Sequence, residues 1–228
     1  MPGNRLARLR QTLSAEERRK ADRFVFESHS QSFVCAHAIL RTILSSYMGC
    51  DPASVEFDRM PEGKPTLKDC AHLRFNLSHS GDLVVIAVAL EREVGVDIEA
   101  IRPLPDLNDI AELFFAPGER DDLLVLPPDD RIPAFFNCWT RKEAFVKAVG
   151  SGLLYPLDRF RVTLLPGEPA GFVTIGDAAA EVTQWSLHDI PSAPGYAAAL
   201  VVEGREVSVR SQSFNSIGEC LDYFSSPA

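Results

Sequence analysis

The sequence predicts an α+β fold, with helices and strands grouped along the chain rather than alternating one for one. Two observations predict it. Segments with apolar residues at helical spacing lead each half of the 228-residue chain, and short strand-like segments follow them. A Pro103-Leu104-Pro105 break falls between the two runs and sets a division into residues 1–103 and 104–228. The repeated helix-then-strand order hints at duplication, although no residue-level repeat supports it. Apolar residues make up 46% of the chain, enough to build a core and to exclude wholesale disorder.

Each element has a local signal. Ser14-Ala15-Glu16-Glu17 reads as a helix start, a serine cap followed by acids in the first turn. Phe33, Val34, His37, Ile39, Leu40 and Leu44 recur at helical spacing, so a helix is expected over about Ser30–Met48, stopped by Gly49. Pro61-Glu62-Gly63-Lys64-Pro65 is a turn. Strands are expected at Phe75–Ser78, at Leu83–Leu90 after the turn Ser80-Gly81-Asp82, and at Val94–Ile98 after Glu91-Arg92-Glu93. Beyond the break, short helices are expected at Asn108–Phe115 and Pro117–Leu126, with a loop at Pro127–Asp130. Ile132–Val149 carries the strongest helical pattern and ends at Gly150-Ser151-Gly152. Short strands follow near 159–165, 171–175, 182–187 and 195–203, and the tail from Val207 carries weak signals.

Charge narrows the classes. The formal net charge is −9, which argues against an electrostatic nucleic-acid binder. The distribution is uneven: residues 1–23 hold seven basic and three acidic groups, so this stretch is +4 and the rest of the chain −13. A basic end on an acidic body suits either an anionic ligand or a plain solvated helix face. The longest apolar run, Leu83–Leu90, is far short of the roughly 20 residues of a membrane helix, and no signal-peptide core is seen, so no membrane partner is expected. Cys35, Cys50, Cys70, Cys138 and Cys220 form no CxxC pair, which fits free thiols in a cytoplasmic protein.

Several residues can carry chemistry. Asp97 and Glu99 flank Ile98 on an expected strand, so their carboxylates project to one side. Like charges held that close repel unless a cation sits between them, and hard oxygens of this kind suit Mg²⁺. The ordinary alternative is a strand end running into solvent. Glu143 and Lys147 are four apart on the long helix and share a face with Trp139, either as a surface ion pair or as the lining of a cleft. Ser78 and His79, in Phe75-Asn76-Leu77-Ser78-His79-Ser80, offer donors to an anion, or serve only the structure. Lys64, in its turn, is either a phosphate contact or a solubilising charge. A serine hydrolase is not supported, since Ser78 and His79 are adjacent and point apart, and no G-x-S-x-G, Walker A or G-x-G-x-x-G motif occurs.

In order along the chain, these pieces resemble the 4′-phosphopantetheinyl transferase family. The resemblance rests on Gly63-Lys64-Pro65, on Phe75–Ser80 and on Gly95-Val96-Asp97-Ile98-Glu99. It continues through Phe114-Phe115 with Glu119, Trp139–Lys147 with Gly150–Leu153, and Pro156–Phe160, and spans about Lys20–Val202. It implies the large single-chain type, in which two similar α+β halves pack as a pseudo-twofold dimer with the active site in the cleft between them. It also implies a monomer that transfers 4′-phosphopantetheine from coenzyme A to a serine of an apo acyl or peptidyl carrier protein, as a holo-[acyl-carrier-protein] synthase type of enzyme. Adenosine 3′,5′-bisphosphate would be released.

The same resemblance implies roles for residues. Asp97, Glu99 and Glu143 would hold Mg²⁺, with Mn²⁺ as an alternative. Glu143 would be the general base, Glu99 its rival, and Lys147 a phosphate contact. Ser78, His79 and Lys64 match coenzyme A contacts, Lys20 and Arg23 match a basic stretch facing the nucleotide, and Arg41 is a further cation near it. One departure stands out: better-known large members carry His-Arg-Thr where this chain has Gln31-Ser32-Phe33. The competing expectations are a metal-dependent coenzyme A pyrophosphate hydrolase and a non-catalytic coenzyme A or carrier binder.

Overall fold

The structure is a computed structural model that describes residues 3–175 and 183–225. Its helices are α1 (Gly3–Thr12), α2 (Ala15–Asp22), α3 (Glu27–Met48), α4 (Leu107–Phe114), α5 (Pro117–Val125), α6 (Pro128–Val149) and α7 (Ile217–Ser225). Its strands are β1 (Phe57–Arg59), β2 (Pro65–Leu67), β3 (Leu73–Ser80), β4 (Leu83–Leu90), β5 (Val94–Ala100), β6 (Phe160–Val162), β7 (Phe172–Ile175), β8 (Trp185–Asp189) and β9 (Tyr196–Glu203). The α+β class is as the sequence predicts.

The chain separates into two compact units, Met1–Phe57 with Val209–Ala228, and Asp58–Ser208. The expected division at 103/104 falls inside the second unit. The reason is pairing: β5, before the break, runs antiparallel to β9, after it, from Val94↔Val202 to Ala100↔Tyr196.

The first unit is helical. Leu9, Leu13, Ala21, Val34, Cys35 and Ala38 form its core, and Leu6, Phe33, Ile217 and Leu221 pack against them. The capping box at Ser14 forms as its sequence suggests: the Glu17 amide donates to Ser14 Oγ at 3.1 Å, and the Ser14 amide donates to Glu17 Oε2 at 2.8 Å. α3 begins at Glu27, three residues earlier than the expected Ser30. α1 and α7 were not among the expected elements; each lends only a few apolar residues to this core.

The second unit holds the sheets. β5, β9 and β8 form a three-stranded sheet in that order, and β3 pairs with β4 along its full length, Leu73↔Leu90 to Ser80↔Leu83. α6 packs on β5 and β9. The approach at Gly95 is so close that a Cβ there would lie 2.1 Å from the Ala144 carbonyl oxygen and 2.3 Å from the Ala148 amide nitrogen. Only glycine lets β5 reach the helix at this depth. Below α6, Phe145 is ringed by Tyr155, Phe160, Phe172 and Trp185 with centroids 4.8–5.5 Å away. Truncating such a side chain to alanine costs about 3–5 kcal/mol.

Other boundaries also differ from expectation. α6 starts at Pro128 rather than Ile132, because proline is pre-shaped for the first helical turn and Asp129 and Asp130 favour its positive end. β3 continues through His79 and Ser80, since Val84 and Leu83 pair with them. The strand expected at 182–187 begins on residue 182, outside the described residues, and is found at 185–189. At the other end of α6, Gly150 takes the left-handed φ of 80° and its amide caps Val146, as the Gly-Ser-Gly signal predicts.

Candidate active site

The site grows out of an edge problem. β5 is an outer strand of its sheet, so its outward amides need partners. Alternate side chains of β3 supply them: Asn76 Oδ1 accepts from the Val96 amide at 2.9 Å, Ser78 Oγ from Ile98 at 3.4 Å and Ser80 Oγ from Ala100 at 3.0 Å. The period of two along Asn76-Leu77-Ser78-His79-Ser80 is what allows one face to do this. That function is missed when the stretch is read from sequence as donors for an anion; the alternation of short polar groups is the signal that would have found it.

The two serines also turn their hydroxyl protons on the carboxylates of β5. Ser78 donates to Asp97 Oδ1 at 2.8 Å and Ser80 donates to Glu99 Oε2 at 3.0 Å. From α6, Lys147 Nζ donates to the same Asp97 Oδ1 at 2.5 Å and to Ser78 Oγ at 3.1 Å. Lys147 thus pairs with a buried strand carboxylate, not with its helical neighbour Glu143 as a surface pair would. Asp97 is 4% exposed, and its second oxygen, Oδ2, is buried without a hydrogen-bond partner among the described residues. Burial pushes the Asp97 carboxyl up, against the pull of Lys147 and Ser78, and the Glu99 charge adds to the rise.

Glu143 stands one turn from Lys147, and its carboxyl is pushed up by burial, then by the negative charges of Asp97 and Glu99, with Lys147 opposing. Asp97, Glu99 and Glu143 are therefore within electrostatic reach of one another. They are not gathered into a cage: among the described residues no three His, Cys, Asp or Glu side chains stand close enough to hold a metal together. The donor set still fits a hard divalent cation. Asp97 has a buried carboxylate oxygen with no partner among the described residues and feels the charge of Glu99, and Mg²⁺ usually takes one or two protein carboxylates and completes its shell with water and substrate phosphate.

A cleft of about 500 Å³ is lined by Glu143 and Lys147, with Glu62, Lys64 and Asn76 among its other polar residues and Phe114, Val146 and Tyr155 among its apolar ones. A second hollow of about 250 Å³ lies around Arg141 and Asp189. There the guanidinium is already committed to Asp189, at 2.9 and 3.0 Å, and to Thr163.

Other expected contacts are placed differently. Lys64 lines the cleft, yet its ammonium is committed to Glu93 at 2.8 Å and to the carbonyls of Val94 and Ala148 at 3.2 and 2.7 Å. Its three donors tie β2, β5 and the end of α6 together. Burial lowers its pKa while Glu93 raises it. His79 is exposed and sits between Ser78 and Ser80, so strand alternation turns it to the opposite face from them. Trp139 packs on Phe114 and Phe135, at 5.7 and 5.9 Å between ring centroids, as part of the core.

Lys20, Arg23 and Arg41 belong to the first unit. Lys20 and Arg23 are exposed, and Lys20 Nζ lies 5.1 Å from the Phe33 ring centre. Arg41, expected to reach a ligand, is 1% exposed. It donates to Glu17 Oε2 at 2.8 Å and to the carbonyls of Pro52 and Val55 at 3.1 and 2.8 Å, so its charge serves the fold. Burial raises the Glu17 carboxyl, but hydrogen bonds from His37 and the Ser14 amide and the charges of Arg41 and His37 overcome it and hold the pKa at about 2.

The family model described as 4′-phosphopantetheinyl transferase superfamily matches residues 93–201, and one described as 4′-phosphopantetheinyl transferase, N-terminal, matches residues 3–91. The chain belongs to the 4′-phosphopantetheinyl transferase superfamily. It is 39% identical over 206 residues to 4′-phosphopantetheinyl transferase HetI of Nostoc sp., covering 89% of this chain and 84% of that one. It is 34% identical over 152 residues to 4′-phosphopantetheinyl transferase Sfp of Bacillus subtilis, covering 67% and 66%. Among solved structures, the holo-[acyl-carrier-protein] synthase of Thermotoga maritima aligns with 50% of this chain and 64% of its own, at 22% identity and a TM-score of 0.39. Among the described residues no helix is long and apolar enough to cross a membrane.

Proposed function

We propose that the chain transfers the 4′-phosphopantetheine group of coenzyme A to a serine of an apo acyl or peptidyl carrier protein. The bond from the serine oxygen to the β-phosphorus forms, the bond from that phosphorus to the bridging oxygen breaks, and adenosine 3′,5′-bisphosphate leaves. Glu143 takes the serine proton. It lines the cleft one helical turn from Lys147, where a carboxylate can accept a proton from a bound hydroxyl. Lys147, anchored by Asp97 and Ser78, presents fixed positive charge at the cleft wall for a phosphate oxygen. Asp97 and Glu143, with Glu99, are the groups that would hold Mg²⁺ or Mn²⁺. When bound, the cation supplies charge stabilisation to the pyrophosphate. Lys64 and Arg41 act through the fold.

The observation that carries this reading is Asp97: one oxygen is held by Ser78 and by Lys147, which lines the cleft, while the other is buried without a partner among the described residues. The test is incubation with coenzyme A, Mg²⁺ and a broad panel of apo carriers, followed by intact-carrier mass. The expected result is a phosphopantetheinyl gain on at least one carrier, abolished by chelator. Coenzyme A cleavage without any carrier would instead identify a pyrophosphate hydrolase. Tight coenzyme A binding with no turnover on any carrier would identify a binding protein.

A further inference from the structure

We propose that Ser80 is a positioning residue that aims Glu99 at the cation; this rests on the reading of the site given above. Its Oγ accepts the Ala100 amide at 3.0 Å, which fixes the oxygen, and its single proton is then directed to Glu99 Oε2, also at 3.0 Å. Arg102 approaches the same Oε2 at 3.5 Å. Both contacts fall on one carboxylate oxygen and leave Oε1 to another partner. The arrangement repeats one step back along both strands. Ser78 accepts the Ile98 amide and donates to Asp97 Oδ1, and Oδ2 is the oxygen left over. β3 and β5 therefore carry two copies of one device, in which a backbone amide orients a hydroxyl and the hydroxyl orients a carboxylate. Hydrogen bonds of this kind hold ligands in their binding rotamer, and losing one typically weakens metal affinity about 10- to 100-fold. A serine that only satisfied the strand edge would not need its proton on Glu99.

The experiment measures Mn²⁺ binding by the electron paramagnetic resonance signal of the free ion, with coenzyme A present and no carrier. It uses the full chain and the variants Ser80→Ala, Ser80→Thr, Glu99→Gln and Ser80→Ala with Glu99→Gln, and thermal melts are recorded for each. Ser80→Ala is expected to bind Mn²⁺ about 10-fold more weakly or worse, while Ser80→Thr, which keeps the hydroxyl, recovers most of the affinity. In the Glu99→Gln background, Ser80→Ala is expected to cost nothing further. In turnover, the loss should appear in the Mn²⁺ concentration needed for half-maximal rate more than in kcat. Unchanged Mn²⁺ affinity in Ser80→Ala would overturn the inference. So would equal losses in Ser80→Ala and Ser80→Thr, additive losses in the double variant, or loss of a cooperative melt in Ser80→Ala. If the unmodified chain binds no Mn²⁺ beside coenzyme A, the cation reading itself fails; if it binds while Ser80→Ala matches it, only the role of Ser80 fails.

Discussion

Lys142 and Lys147 lie five residues apart on α6, and each meets a carboxylate, but the two pairs are finished differently. Lys142 and Glu119 are both 0% exposed, 2.8 Å apart. Glu119 also accepts the amides of Val162 and Ala116, and Lys142 also donates to the carbonyls of Leu157 and Phe160. Both charges are surrounded by partners, and α5, α6 and β6 are clipped together by them. Asp97 and Lys147 form an open pair: the lysine side chain is 29% exposed, and Asp97 Oδ2 has no partner among the described residues. Burying a charge is costly unless it is fully paired. The closed network is thus a structural joint, and the incomplete one is the pair to which the proposed function assigns a ligand.

That contrast is open to breaking by mutation. The largest effect is expected from Glu143→Gln, which should lower transfer by at least about 10²-fold while leaving the fold intact. Carrier mass against time, with circular dichroism on the same sample, checks both halves, and a near-normal rate would remove Glu143 as base. Lys142→Met should do the opposite. Stranding buried Glu119 should cost about 3–5 kcal/mol of stability in urea unfolding. Lys147→Met is expected to cost less in that assay than Lys142→Met, because the lysine side chain is 29% exposed and Ser78 still donates to Asp97, yet to slow turnover strongly. Equal destabilisation by the two lysine variants would erase the distinction between joint and site.

The smallest effect concerns acid. Glu17 has a folded pKa of about 2 against an ordinary 4.5. A depressed carboxylate contributes stability that is present above about 4.5 and is lost as pH falls toward about 2. Melting temperatures should therefore drop through that window, and Glu17→Gln should flatten that part of the curve. An unchanged slope in the variant would show that other carboxylates set the acid limit.

Much of the fold was legible because it is local. Ser14 with Glu17, Gly49 and Gly150 mark helix ends by their own chemistry, and the strands at 83–90 and 196–203 follow from apolar runs. α1 and α7 were not among the expected elements; both take their places by packing on α3, through Leu6 and Leu9 and through Ile217 and Leu221. In the site, the same-side projection of Asp97 and Glu99 and the shared face of Glu143 and Lys147 came from period alone. Arg41 and Lys64 show the limit of that reasoning. A cation in a motif looks alike in sequence whether its donors meet a ligand or, as here, the carbonyls of Pro52 and Val55 or of Val94 and Ala148.

By itself the sequence determined the α+β class, the superfamily and the residue types of the site, because ordered motifs and short-range periodicity are properties of the chain alone. Tertiary structure decided what those residues touch. It set β5 beside β9 across the Pro103–Pro105 break, seated β5 on α6 through the missing side chain of Gly95, and used the hydroxyls of Ser78 and Ser80 to finish a strand edge. It also left Asp97 Oδ2 without a partner among the described residues. Which donors are filled and which stay open depends on groups far apart in sequence, and that count exists only once the chain has folded.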